Sequence, residues 1–250
     1  MRKPGEKPLL VRLTHAVNAL AILVLVMSGL QVFNAHPALY WGHKSTFDAP
    51  WLQMGMIEGQ DRVYGVTEIG PARFDTTGLL GYSGAEGRKE PRGFPAWATL
   101  PSYRDLASGR RWHFFFAWVL VLNGAVYLTA NAAGGRWRRF VPARSELAPR
   151  HLAREIAEHA RLRFAPGLST LQKLSYLGVV AIVLPLMVAT GLTMSPGMNA
   201  AWPWLVELFG GRQSARSLHF ICATLVVVFV LVHLAMVLAV AVRGRKGDQA

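Results

Sequence analysis

The chain has 250 residues, 52% of them hydrophobic, with 27 basic against 14 acidic residues and a formal net charge of +13. That charge raises nucleic acid as a partner, but the bases sit mostly between long apolar runs, which fits a lipid surface better than a nucleic-acid groove. A single cysteine, Cys222, excludes an intramolecular disulfide and reads as a small buried apolar residue.

Arg2, Lys3 and Lys7 precede the first apolar run, Leu9–Phe33, in the manner of a signal peptide. The run is too long for that role, and a cut after Ala35 would put Phe33 where a small residue is needed, so a retained span is expected. Residues 34–109 follow, rich in glycine, proline and aromatics with nearly balanced charge, and a connection of this length usually has a role of its own. We read it as a compact cap and the best docking surface for a soluble partner; an ordered lid without a partner is the alternative. His36 and His43 read as surface or turn histidines of this cap.

The second run is Trp112–Asn131. Residues 132–166 then carry eight arginines (Arg136, Arg138, Arg139, Arg144, Arg150, Arg154, Arg161, Arg163) against three glutamates. Within them, Pro149–Phe164 spaces Leu152, Ile156 and Ala160 as one face of a basic amphipathic helix suited to anionic headgroups; His151 and His159 ride on it with no chemistry assigned. The third run is Leu168–Met194, the connection 195–215 has Arg212 as its base before the last span's flank, and the fourth run is Leu218–Val242. Arg243, Arg245 and Lys246 close the chain. Each run is long enough to cross a ~30 Å hydrocarbon layer. The excess of bases puts both termini and residues 132–166 in the cytoplasm. The expected fold is an all-α membrane protein of the bacterial cytoplasmic membrane: a four-transmembrane-helix bundle with a long extracytoplasmic loop between helices 1 and 2. No internal repeat stands out.

Four of the eight histidines lie in these spans, where an ionisable side chain is costly and marks a functional site. His219 and His233 are 14 residues apart on one span. Fourteen steps of ~100° nearly restore the starting direction while climbing ~21 Å. With the topology above, His15 and His233 share the inner level, and His113 and His219 the outer level. Each pair can grip one haem iron between helices, a neutral imidazole filling each axial position. Arg12, Arg110 and Arg216 each stand three residues before a histidine, one turn nearer water, where a guanidinium can pair with a propionate or merely anchor the span. Asn18 suits the inner propionates or a quinone, or an interhelical hydrogen bond. Gly29, Gly124, Gly178 and Gly191 suit close approach to a flat macrocycle or plain helix packing. No C-x-x-C-H segment offers covalent attachment.

Arg12-Leu-Thr-His15-Ala-Val-Asn18, Leu171-Gln-Lys-Leu-Ser-Tyr176, Pro185-Leu-Met-Val-Ala-Thr-Gly191-Leu-Thr-Met-Ser-Pro196 and Gly210-Gly-Arg-Gln-Ser-Ala-Arg216-Ser-Leu-His219 resemble the di-haem membrane cytochrome b family. That family includes the b subunits of nickel–iron hydrogenase, formate dehydrogenase and thiosulfate reductase, and the thiosulfate reductase-like branch is most similar. The resemblance implies two haem b groups held by His15, His113, His219 and His233, a quinone site near one of them, and an extracytoplasmic partner, a molybdopterin enzyme in this branch. Two departures are the lack of a fifth span, common in the hydrogenase type, and the long cap. The expected function is electron transfer between that partner and the membrane quinone pool. The rivals are a stand-alone membrane oxidoreductase acting on quinol, superoxide or ferric iron, and a haem-free transporter or anchor whose histidines are interhelical glue.

Overall fold

The computed structural model describes residues 9–85, 87–135, 138, 140–160 and 168–247. Arg2, Lys3, Lys7, Arg136, Arg139, Arg161 and Arg163, and the basic amphipathic helix beyond Ala160, lie outside the described residues. The chain forms two compact units, one of residues up to Ala130 with Thr193–Ser217, the other of Asn131–Leu192 with Leu218 onward. Among the described residues four helices are long and apolar enough to cross a membrane: Leu9–Phe33, Leu106–Ala133, Thr170–Thr193 and Arg212–Val240.

In the first unit, helices α1 (Leu9–Phe33) and α2 (Leu106–Ala133) pack through Ala21, Leu25 and Leu120, flanked by Ile22, Phe116, Ala117 and Val119. Between them the cap is a sheet, which its composition did not announce. Strands β1 (Ala38–Leu39), β2 (Leu52–Glu58), β3 (Val63–Ile69) and β4 (Ala72–Asp75) form an antiparallel meander in that order. The β2–β3 register runs from Leu52↔Ile69 to Glu58↔Val63, with Leu52 and Met54 buried at alternate positions, the period of a strand with one face covered. Strands β5 (Gly81–Ser83) and β6 (Glu90–Arg92) form a second, two-stranded sheet. Gly81, at φ +77°, crosses so close to β2 that a Cβ there would lie 2.2 Å from the Gly55 carbonyl oxygen.

Short helices α6 (Pro196–Ala201) and α7 (Pro203–Leu208) lead to α8 (Arg212–Gly247). The cap seizes the first turn of α8. The Gly42 carbonyl accepts from the Gln213 and Ser214 amides at 2.9 and 3.1 Å, satisfying donors that a helix start leaves unpaired. Ser214 Oγ accepts from Gly42 N at 2.7 Å, and Ser217 Oγ donates to the Tyr40 carbonyl at 2.6 Å. Gly211, at φ +109°, is the residue that permits this approach, since a Cβ there would meet the Gly42 backbone at 2.6 Å.

In the second unit, α3 (Pro149–Ala160) lies against the start of α4 (Thr170–Gly178). One turn of π-helix, Val179–Val183, joins α4 to α5 (Leu184–Thr193). The widened turn precedes Pro185, whose missing N–H leaves a carbonyl one turn earlier without its helical donor. Ser169 and Gln172 form a capping box at the α4 start. Glu155 of α3 adds a second cap, accepting from Thr170 N at 3.1 Å and Leu171 N at 3.0 Å, with His151 also on its carboxylate. Lys173 and Glu146 pair at 2.8 Å alongside.

Burial pushes the Glu155 pKa up, but the Leu171 and Thr170 donors outweigh it and hold the carboxyl below its ordinary value of 4.5. A depressed folded pKa gives stability that is present above 4.5 and lost as pH falls through the folded value. Glu155→Gln should therefore weaken the α3–α4 junction by about 1 kcal/mol at neutral pH, the worth of a cap. It should also flatten the loss of protection below pH 5 that the parent shows. Amide hydrogen exchange at Thr170 and Leu171 reads both effects, and equal exchange in the two proteins would refute the cap.

Candidate functional site

On α2, His113 turns its ring onto α1. Its Nδ1 lies 3.1 Å from the Leu25 carbonyl oxygen and 3.2 Å from Ser28 Oγ. A carbonyl can only accept, so Nδ1 carries the proton, and in the neutral ring the lone pair is on Nε2. Beneath the ring lies Gly29, where a Cβ would stand 3.2 Å from His113 Cε1.

The second unit repeats this arrangement with different elements. His219 of α8 places Nδ1 2.9 Å from the Met187 carbonyl oxygen and 3.2 Å from Thr190 Oγ1. Gly191 supplies the room, a Cβ there falling 3.3 Å from His219 Cε1. The same tautomer follows, with the lone pair on Nε2.

His15 is an exposed residue of α1, and 14 residues separate it from Gly29, the floor of the His113 ring. His233 is exposed on α8, 14 residues beyond His219, with its ring stacked on Phe229 at 6.0 Å between centroids. Within each unit, taken alone, two imidazole levels thus stand ~21 Å apart along a helix. Asn18 Oδ1 accepts from Asn123 Nδ2 of α2 at 2.7 Å, and the same amide reaches the Thr14 carbonyl at 2.7 Å, so the interhelical hydrogen bond considered for Asn18 is present.

The three arginines differ in setting. Arg12 and Arg110 are exposed, the latter over the Phe114 ring at 5.4 Å. Arg216 is engaged by the cap: Nη1 donates to the Ala38 carbonyl at 2.8 Å and Nη2 to that of His36. His36 itself lies at the turn after α1, as one of the two expectations had it, half-buried against Tyr40 and Phe47. Burial, and secondarily the nearby Arg216 charge, lower its pKa and keep it neutral. His43 is exposed, 3.7 Å from Glu207. Of the glycines, Gly29 and Gly191 face imidazoles, whereas a Cβ at Gly124 or Gly178 would meet nothing within 4 Å.

Sequence reasoning did not find Ser28 and Thr190. A signal was there: Val26-Met-Ser28-Gly29-Leu30 and Val188-Ala-Thr190-Gly191-Leu192 are alike, as are Arg110-Arg-Trp-His113-Phe114 and Arg216-Ser-Leu-His219-Phe220. The histidines thus present the nitrogen and tautomer that an axial ligand to haem iron uses, and the residues fit that group.

The pattern of the prokaryotic cytochrome b561 family matches residues 7–249. The chain is also 26% identical, over 232 residues, to the putative protein-methionine-sulfoxide reductase subunit YedZ1 of Azospira oryzae, covering 91% of this chain and 87% of that protein. No solved structure matches it. With four helices long enough to span a bilayer and a family match across nearly all its length, the chain belongs to the prokaryotic cytochrome b561 family, membrane proteins of bacteria that carry haem b.

Proposed function

We propose that the chain is a di-haem b-type subunit relaying electrons between the membrane quinone pool and an extracytoplasmic oxidoreductase. His113 and His219 hold the outer haem; His15 and His233 hold the inner one. Haem supplies a one-electron carrier at each level, and the protein supplies ligation, spacing and electrostatics. The single observation behind this reading is the equal 14-residue step in the two compact units, from Gly29 to His15 and from His219 to His233. Interhelical glue has no need of a common spacing.

Both termini and residues 132–166 face the cytoplasm in this reading, by the excess of arginine there. The cap then stands outside, on the His113 side of α1 and α2, and offers its surface to the partner. Arg12 and Arg110 serve propionates at the two levels, and Arg216 ties the cap to the helix that carries His219. The relative named above carries the name of a reductase subunit, which supports a reductase as the partner, with electrons leaving quinol; a molybdopterin enzyme acting on sulfoxides is our choice. The quinone site lies by the inner haem, near His15 and Asn18.

A reduced-minus-oxidised spectrum with haem stoichiometry on the purified chain tests the reading. Two haems b per chain, both reduced by a quinol analogue, are expected. A colourless preparation would leave a transporter or anchor, and turnover of superoxide or ferric iron by the isolated chain would favour the stand-alone oxidoreductase.

A further inference from the structure

We infer that Ser28 with Gly29, and Thr190 with Gly191, are positioning residues that fix the tautomer and orientation of His113 and His219. The inference rests on the reading of those histidines as haem ligands. Both cradles follow one rule along the helix. A carbonyl at position i (Leu25, Met187) accepts from imidazole Nδ1–H, and a hydroxyl at i+3 (Ser28, Thr190) accepts from the same N–H. Glycine at i+4 clears the ring edge.

The hydroxyl accepts from the ring because it donates its own proton within its helix. Ser28 Oγ donates to the Val24 carbonyl at 2.6 Å, and Thr190 Oγ1 to the Leu186 carbonyl at 2.8 Å. Ser28 and Thr190 are both 0% exposed, so water does not replace either group. Alanine at 28 or 190 would keep the helix and remove half of the acceptor pair. An imidazole whose distal N–H loses an acceptor becomes a weaker donor to a metal through its other nitrogen. The ferric state needs that donation more than the ferrous, so the reduction potential rises.

The fully loaded chain carrying Ser28→Ala or Thr190→Ala is expected to retain both haems while one midpoint rises. Loss of such outer partners typically costs a metal site tenfold or more. A tenfold loss confined to the ferric state corresponds to ~59 mV for a one-electron couple. Both variants should move the same haem, and the other midpoint should stay. Ser28→Thr and Thr190→Ser, which exchange the hydroxyls already used at the two sites, should restore the parent potential. Gly29→Ala should shift the low-spin ferric electron paramagnetic resonance signal of that haem by turning the ring.

Unmoved midpoints in both alanine variants would overturn the inference, even if His113→Ala still removes a haem and the ligand reading survives. If His113→Ala keeps two haems, the ligand reading itself fails. If Ser28→Ala drops the haem outright, Ser28→Thr must hold it at the parent potential, and loss from both would also overturn the proposal.

Discussion

Replacing His113 or His219 by alanine should lower the haem content from two per chain to one, and the haem that remains should be the same in both variants. His15→Ala and His233→Ala should each leave the other haem. The expectation follows from the proposed noncovalent ligation: no cysteine motif offers a tether for the porphyrin, so two axial imidazoles and packing would hold each group. Removing one imidazole withdraws a metal bond and opens a cavity where a ring stood. At His113 it also removes the ring N–H that the Leu25 carbonyl and the Ser28 hydroxyl accept. Pyridine haemochrome stoichiometry and redox titration distinguish the two groups of variants. Two haems surviving any of the four substitutions would refute its pairing, and so would His15→Ala and His113→Ala leaving an identical residual spectrum.

The spans and histidines were legible because both signals are strong and local. Apolar runs of ~20 residues report a membrane's thickness, and a 14-residue interval on one run fixes both height and azimuth. Hydropathy does not report where a helix starts. Helix α2 begins at Leu106, ahead of the second apolar run, since Asp105 Oδ1 caps the Ser108 amide at 3.0 Å and charged Arg110 and Arg111 sit comfortably in a helix. Helix α8 begins at Arg212 because the cap's Gly42 carbonyl takes its first amides, a contact reaching 172 residues in sequence.

The cap's strands were harder to read. Residues 52–58 and 63–69 alternate only in part, are broken by Gly55 and Gly65, and carry Glu58 and Glu68, so no window gave a clean period of two. The cradles were hidden by distance. Ser28 lies 85 residues from His113, but Thr190 only 29 from His219, since the cap is inserted in one connection and two short helices in the other. A four-residue likeness of common residue types stays silent until the rings are seen to land on it.

Arg92→Ala should loosen the cap while leaving both haems in place. Arg92 closes β6 and is 3% exposed, yet it carries a full charge. Its guanidinium is satisfied on every side: Nε donates to the Phe94 carbonyl at 2.7 Å, Nη1 to Glu90 Oε1 at 2.7 Å, and Nη2 to Thr99 Oγ1 at 3.0 Å, with the Ser102 carbonyl shared at 3.2 Å. One side chain thus joins the small sheet to the segment that enters α2. Truncation removes the charged donor that ties Glu90, Thr99 and the Ser102 carbonyl together and leaves the Phe94 carbonyl its Asn34 Nδ2 donor alone, so a cost of about 2 kcal/mol to the cap is expected. Arg92→Lys should recover little, since an ammonium cannot span acceptors arranged around a planar fork. The imidazole cradles are made within α1, α2, α5 and α8, so the proposed haem content should hold at two per chain. Limited proteolysis should instead cut residues 34–105 faster, and transfer to the partner should fall before quinol-driven haem reduction does. A cap as protease-resistant as the parent's would show that Arg92 is not what holds it. Haem loss in step with cap cleavage would show that the cap, rather than the helices, secures the His113 ring.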